Sequence, residues 1–250
     1  MRVFKSAFTL AEAMIAMAII GIVAAVTIPQ VVTGSLKNEA GAVLGRTVEQ
    51  IELGCQNMIQ KANDNIKVTD GGYYEGLSEL TQQAVFGDSV STNHSMQGEN
   101  LFEYGGAFFG AKSFDGDDKY DTADDYISSI RNFKGEGDRI SASKKAYILE
   151  KQKAIIMVNN SAKAVSALDD FTTAIFIDVN GTQKPNRGGK DVFLFGLTHQ
   201  GKMIPAGTSN YQKYESSIPL HTSDCKDNAI GGGWSCAARV VQDGYRITYY

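Results

Sequence analysis

The chain has 250 residues, of which 43% are hydrophobic and 21% charged, with a formal net charge of −4 and a mean hydropathy of −0.19. This apolar content can bury a sizeable core, which excludes a disordered chain, and the aperiodic glycines exclude a collagen-like one. The mild acidity argues against a nucleic-acid-binding surface as the dominant feature.

The N-terminus begins with the short leader MRVFKSA, and an almost uninterrupted apolar run follows over residues 8–28. At about 1.5 Å per residue, a helix over this run is roughly 32 Å long, enough to cross the core of a bilayer. Arg2 and Lys5 place positive charge ahead of the run. The leader is therefore expected to stay in the cytoplasm while the rest of the chain is exported.

Two general interpretations of this run leave features unexplained. A secretory signal peptide would be cut at a site such as Ala16-Met17-Ala18, but strongly apolar sequence continues well beyond it. A plain membrane anchor does not explain Glu12. An ionised carboxylate near the bilayer interior costs on the order of 2.5 kcal/mol or more, so it normally has a partner.

The segment F-T-L-A-E begins at Phe8, and the apolar sequence behind it ends with IIGIVAAVTIP at Pro29. This pattern resembles the N-terminal signal of type IV pilins and type II secretion pseudopilins, which a prepilin peptidase cuts just before the apolar run. The resemblance implies a leader of residues 1–7, cleavage between Ala7 and Phe8, and N-methylation of Phe8. The family usually has Gly at the position of Ala7.

The resemblance also implies a role for Glu12 in assembly. Cleavage leaves a free amino group on Phe8, and Glu12 lies one helical turn away, within reach of its own amine or that of a neighbouring subunit. A buried carboxylate–ammonium pair is far better in hydrocarbon than either charge alone, and it favours one axial register. The alternative is a glutamate that only extends to the membrane interface.

Residues 8–29 are thus expected to form a transmembrane and assembly helix with a weak point. Pro29 cannot donate a backbone hydrogen bond and clashes with the carbonyl four residues earlier, which predicts a kink near Ala25. Gly21 adds flexibility to the same stretch.

Residues 30–65 continue the helix with an amphipathic pattern that should end near residues 63–65. One apolar stripe, expected to lie against a sheet, comprises Leu44, Val48, Ile51, Cys55, Met58 and Ala62. Cys55 fits a small buried hydrophobe better than a reactive or metal-binding thiol, since nothing nearby offers ligand spacing.

Residues 66–250 form the exported head, whose first part, 66–145, is expected to be a variable region of loops and short helices, one of them near 77–85. An acidic cluster in it is either a solvated loop or a site for a hard cation. Its members are Asp115, Asp117, Asp118, Asp121, Asp124 and Asp125.

A β-sheet is predicted over residues 146–198. Segments 145–151 and 153–159 suit a tight hairpin, and 172–181 and 191–198 are rich in β-branched and aromatic residues. We expect an antiparallel sheet of four or more strands, covered on one face by the amphipathic helix. The fold class is therefore α+β and pilin-like, with a short helix and a final strand, YRITYY, at the C-terminus.

Two further features of the head concern ligands and cross-links. Asp178 and Asn180, with Asp191 further along the same loop, could wrap a structural calcium ion; the alternative is an Asx-type turn. Cys225 and Cys236 bracket a Gly-rich loop. Because the family commonly closes its C-terminal region with a disulfide and an exported head meets an oxidising environment, the resemblance implies that these two cysteines pair.

Catalytic motifs are not recognisable in the sequence: His94, His199 and His221 are isolated, and there is no G-x-S-x-G. We expect no enzymatic activity and no cofactor apart from the calcium considered above. The resemblance implies a structural subunit of a type IV pilus or type II secretion pseudopilus. The alternative is a minor pilin acting as an adhesin or as a module that binds a secreted substrate, a surface ligand or DNA.

The resemblance also implies partners and a location. The partners are other pilin or pseudopilin subunits in a helical polymer and the prepilin peptidase. The chain is expected to cross the bacterial inner membrane once, with the head in the periplasm or outside the cell.

Overall fold

A computed structural model describes residues 9–65, 67–68, 74–75, 109–135, 145–158, 171–198, 201–213, 218, 220, 225 and 233–249. The chain divides into two compact units, Met1–Glu39 and Ala40–Tyr250. The predicted helix over residues 77–85 and the three histidines lie outside the described residues.

The long N-terminal helix is present as predicted. Helix α1 spans Leu10–Asn65 and is continuous through Pro29. Near the proline, the Thr27 hydroxyl donates to the Val23 carbonyl at 2.9 Å, and the Thr33 hydroxyl donates to the Pro29 carbonyl. The helix thus continues past Pro29 although the proline has no N–H to donate to the Ala25 carbonyl, and the kink stays a prediction.

The predicted antiparallel sheet is also present, and it has six strands in the order β3-β4-β5-β6-β7-β8. Each strand pairs with the next along the chain, so the sheet is a meander; Ile156 lies opposite Ile177, for example. A separate pair of short strands precedes it. The strands are β1 Lys67–Val68, β2 Tyr74–Glu75, β3 Ala111–Phe114, β4 Ala146–Leu149, β5 Ala154–Val158, β6 Phe171–Asp178, β7 Val192–Thr198 and β8 Met203–Pro205.

The sheet extends beyond the predicted residues 146–198 at both edges. Strand β3 lies before residue 146, in the region expected to hold loops and short helices. Strand β8 lies after residue 198. The expected final strand is wrong, because residues 245–249 pair with no strand. Ile247 and Tyr249 are buried, whereas Arg246 and Thr248 are exposed. The alternating pattern therefore reflects an extended segment lying on the core.

One face of the sheet packs against the second half of α1. The helix contributes Leu44, Val48, Ile51 and Cys55, all buried in one core cluster with sheet residues such as Phe193. This confirms the predicted stripe for those four residues; the side chains of Met58 and Ala62 lie outside the described part. Burial of this stripe is what holds the helix on the head.

The opposite face is covered as well, whereas the sequence predicted a cover on one face only. A second core cluster joins Ile155, Met157 and Leu194 of the sheet to Tyr126 and Tyr211. These tyrosines come from two short helices, α2 (Ala123–Ser129) and α3 (Ser209–Gln212). The last helix, α4, spans Cys236–Gln242.

Candidate functional site

The first turn of α1 is closed by a reciprocal pair of hydrogen bonds. Thr9 precedes the first helical residue, and both its N–H and its hydroxyl donate to Glu12 Oε2 at 2.9 Å. In return, the Glu12 N–H donates to Thr9 Oγ1 at 3.3 Å. This is a capping box, in which a Thr at the N-cap and a Glu three residues later satisfy each other's backbone N–H groups. The Thr-x-x-Glu spacing is the sequence signal of this capping box, whereas the role predicted for Glu12 rested on its charge alone.

The helix that follows is apolar and exposed on all sides. Leu10 is 79% exposed, Met17 74% and Val31 70%, and every large apolar side chain from residue 10 to residue 36 is similarly open. By length and composition this helix can cross a membrane. A helix that is apolar all round requires an apolar environment, either lipid or other helices.

Residues 4–28 match the family model of the prokaryotic N-terminal methylation motif. The chain therefore carries the prepilin-type cleavage and methylation signal of type IV pilins and pseudopilins. The matched residues include Ala7 and Phe8, which lie outside the described structure, as well as Glu12. No curated protein matches the chain, and no solved structure does.

The methylation motif indicates a pilin-like or pseudopilin precursor and points to a structural subunit. In general terms it implies association with other pilin subunits and with the prepilin peptidase. Together with the apolar helix, it fits a membrane-anchored protein.

A second site lies in the head, where the three residues considered for calcium come together. Asn180 joins the two aspartates: its N–H donates to Asp178 Oδ1 at 3.0 Å, and its Nδ2 donates to Asp191 Oδ2 at 3.1 Å. Asp191 also accepts from the N–H groups of Asn186 at 2.7 Å and Arg187 at 2.5 Å. The carboxylate of Asp191 thus organises the loop between β6 and β7.

The remaining partners come from α2. The Tyr126 hydroxyl donates to Asp178 Oδ2 at 2.5 Å, and Ser129 Oγ donates to the Tyr126 carbonyl at 2.6 Å. Asn186 Nδ2 donates to Ser129 Oγ at 3.0 Å. The hydrogen bonds therefore close a circuit, which we call the polar ring: Asp178, Asn180, Asp191, Asn186, Ser129 and Tyr126.

Burial dominates the electrostatics of the polar ring. Asp178 is fully buried, and its burial, followed by the nearby charge of Asp191, raises its pKa well above the ordinary value. Burial also raises the pKa of Asp191 to about 6, against the opposing effect of the hydrogen bonds it accepts. Burial and the neighbouring Asp178 charge raise the pKa of the Tyr126 hydroxyl. The ring thus holds two carboxylates whose charged forms are costly.

Three members of the polar ring, Tyr126, Ser129 and Asn186, were not foreseen as site residues. Tyr126 lies 52 positions before Asp178, and no local pattern links them. Asn186 is 2% exposed, and its Oδ1 has no hydrogen-bond partner. The Pro-Asn pair in this loop was the available sequence signal for a turn at Asn186, whose φ of 48° is a value that Asn tolerates.

All six aspartates of the acidic cluster at residues 115–125 are exposed: the first four lie in a loop before α2, and Asp124 and Asp125 lie in the first turn of that helix. Asp117 Oδ1 accepts from the N–H groups of Lys119 and Tyr120, and a hydrogen bond with Thr182 lowers the pKa of Asp117. In the described part of the chain, no three His, Cys, Asp or Glu side chains are grouped to hold a metal ion. The polar ring, by contrast, combines two carboxylates with amide oxygens.

The cysteines pair as the resemblance implied. Cys225 and Cys236 form a disulfide, with Cα atoms 5.3 Å apart, and both are buried. Cys55 is free and buried, as expected for a small hydrophobe, and burial raises the pKa of its thiol to about 12. A thiol so far from its ionised form is a weak nucleophile.

Proposed function

We propose that the chain is the precursor of a structural subunit of a type IV pilus or a type II secretion pseudopilus. In this proposal a prepilin peptidase cuts before Phe8, the new amino group is methylated, and the subunit assembles through α1. The observation that carries the proposal is the position of the motif in the structure. The methylation motif at residues 4–28 overlaps a helix whose apolar side chains are exposed on every side.

The proposed assembly uses the charge of Glu12. Cleavage creates an ammonium group on Phe8, next to Thr9, whose N–H and hydroxyl already hold the Glu12 carboxylate at the start of the helix. In a bundle of such helices, the carboxylate of one subunit can pair with the ammonium group of another. Pairing is strongly favoured where both charges are removed from water, so it selects one register.

The proposed location is the bacterial inner membrane, crossed once, with residues 1–7 in the cytoplasm before cleavage. Arg2 and Lys5 support this orientation. The disulfide between Cys225 and Cys236 supports a head on the oxidising side, because such bonds are rare in the cytosol.

The mature N-terminus tests the proposal directly. The full chain is expressed in cells with and without a prepilin peptidase, and the N-terminal peptide is identified by mass spectrometry. We expect N-methyl-Phe8 with the peptidase and an uncut leader without it. The variant Ala7→Gly should be processed equally well or better. A mature terminus after Ala18, or peptidase-independent cutting, would overturn the proposal.

The alternative, a minor pilin that binds DNA, is favoured by one feature of the head. Basic residues lie on two neighbouring backbone segments, 131–134 and 184–190: Arg131 and Arg187 are joined by a backbone bridge, and Lys190 Nζ lies 4.7 Å from the centre of the Phe133 ring. Such a surface suits phosphodiesters. Fluorescence anisotropy with a DNA duplex tests it; binding that weakens in salt and in Arg187→Gln would support this role.

A further inference from the structure

The polar ring contains more buried oxygen acceptors than hydrogen-bond donors. The Tyr126 hydroxyl, and the backbone N–H and side-chain Nδ2 of both Asn180 and Asn186, each donate within the ring or to the neighbouring Tyr120 hydroxyl. Two amide oxygens, Asn180 Oδ1 and Asn186 Oδ1, are buried and accept no hydrogen bond. Buried oxygens without a partner are rare in folded proteins and call for an explanation.

The ring also lacks a positive charge to balance its two carboxyl groups. Asp178 and Asp191 are buried close enough for the charge of one to act on the other. Across the described ranges, no Lys or Arg side chain forms an ion pair with either of them. Arg187, in the same loop, contributes its backbone N–H to Asp191. Buried carboxylates are normally paired with a cation or bound to a metal ion.

We propose that the polar ring binds a calcium ion, with the carboxylates of Asp178 and Asp191 and the amide oxygens of Asn180 and Asn186 as ligands. The orphaned amide oxygens and the buried carboxylates are independent observations, and one bound cation would satisfy both. The site lies in the head and does not depend on the proposed function.

The chemistry of the donors selects the ion. All four side chains offer oxygen, and none offers the nitrogen or sulfur that zinc and copper prefer. Calcium takes six to eight oxygen ligands in flexible geometry, including amide and backbone carbonyls, whereas magnesium demands a near-ideal octahedron and keeps its waters. A loop that supplies two carboxylates and two amides therefore fits calcium better than magnesium.

Bound calcium would neutralise the two carboxylates and give the amide oxygens a partner. Because the ring joins the loop between β6 and β7 to Tyr126 and Ser129 of α2, the ion would also fasten this helix to the sheet. We therefore expect calcium to stabilise the folded head.

Two measurements on the full wild-type chain in detergent test the site. After treatment with EGTA, addition of ~2 mM calcium, a concentration suited to extracellular calcium modules, should raise the Tm by about 3 °C or more. Magnesium at the same concentration should raise it less. Terbium, a calcium substitute, should show emission sensitised by Tyr126, whose hydroxyl lies 2.5 Å from Asp178, and calcium should displace it.

Matched variants locate the ion. Asp178→Asn and Asp191→Asn keep the side-chain shape and should abolish both the calcium-dependent rise in Tm and the displaceable terbium emission. Asp118→Asn, at an exposed aspartate of the acidic loop, should keep both. Circular dichroism establishes whether each variant folds. If a ring variant does not fold, the wild-type measurements still test the proposal.

Either of two outcomes overturns the proposal. In the first, wild-type protein shows no calcium-dependent Tm and no displaceable terbium emission, so the ring is satisfied by protons or water. In the second, the calcium effect survives in folded Asp178→Asn and Asp191→Asn but is lost in Asp118→Asn, which places the ion in the acidic loop.

Discussion

Thr9 and Glu12 hold each other at the start of α1, the threonine donating to the carboxylate while its own hydroxyl accepts from the Glu12 N–H. In a single chain this arrangement closes the helix end. In the proposed filament the same carboxylate also has to pair with an ammonium group. The two roles can be separated, because glutamine can close a capping box but carries no charge.

We predict that Glu12→Gln leaves cleavage intact but reduces incorporation into filaments at least tenfold. The amide keeps the acceptor that Thr9 uses and removes the charge that pairs with the Phe8 amine. Immunoblots of sheared filaments against whole-cell protein measure incorporation, and the mass of the subunit reports cleavage.

The matched control is Thr9→Val, which keeps the Glu12 charge and loses the hydroxyl of the cap. It should assemble nearly as well as the wild type. If Thr9→Val fails to assemble while Glu12→Gln succeeds, the glutamate acts through the helix end and the charge-pairing role is wrong.

Two glycines of α1 should respond oppositely to the same substitution. A Cβ on Gly41 would lie 2.0 Å from the Tyr245 carbonyl oxygen, whereas a Cβ on Gly34 would meet nothing within 4 Å. We predict that Gly41→Ala lowers the free energy of unfolding of the head by about 1–3 kcal/mol, because the helix must move away from the C-terminal segment.

Gly34→Ala is the control and should be neutral or slightly stabilising, since alanine favours helix by up to about 1 kcal/mol over glycine. Urea unfolding in detergent, followed by the fluorescence of Trp234, measures both variants. Trp234 is the only tryptophan, and its ring lies 5.4 Å from that of Phe176 in the core. Equal stability of Gly41→Ala and Gly34→Ala would contradict the close contact with Tyr245.

The parts of the fold that sequence could predict are those with local patterns. The stripe of Leu44, Val48, Ile51 and Cys55 indicated a helix packed on a sheet, and the β-branched runs located β4 to β7. The segment AKSF of β3 was missed because only Phe114 of this edge strand is buried, so little apolar pattern marks it. The uninterrupted apolar run of β7 did hold a signal for burial on both faces, since all seven residues are buried.

Three of the six residues of the polar ring could be predicted from the sequence. Asp178, Asn180 and Asp191 share one loop, so their spacing could be read from the chain. Tyr126 comes from a helix far earlier in the sequence, and only the packing of α2 on the sheet brings its hydroxyl to Asp178. Contacts between distant segments carry no local pattern, and so the ring could not be completed from the sequence.

The disulfide should contribute strongly to the stability of the head. We predict that Cys225→Ser with Cys236→Ser lowers the free energy of unfolding by about 3 kcal/mol, because the unfolded chain regains the freedom of the closed loop. Urea unfolding followed by Trp234 fluorescence measures it. Dithiothreitol should destabilise the wild type by a similar amount and leave the double variant unchanged. A dithiothreitol effect that persists in the double variant would assign the loss to something other than this bond.

Cys55 should resist thiol reagents until the head unfolds. Its side chain is fully buried, and Gly201 approaches it so closely that a Cβ there would lie 2.5 Å from the Cys55 Cβ. Burial, followed by the charge of Glu52, raises the thiol pKa from 9.0 to about 12. The packing excludes the reagent, and the raised pKa keeps the reactive thiolate scarce. Maleimide labelling at pH 8.5 should therefore be at least 100-fold slower in native protein than in denaturant.

The raised pKa also sets the direction of a pH effect on stability. The folded state holds the Cys55 proton more tightly than the unfolded state, so this contribution is complete below about pH 9 and declines as the pH rises towards 12. Unfolding of the wild type should therefore become easier above pH 9, and Cys55→Ala, less stable at pH 7, should show a shallower decline. Rapid native labelling at pH 8.5, or an equal decline in Cys55→Ala, would show that the thiol is accessible to water. The sheet and Gly201 would then cover it less completely than their contacts with α1 require.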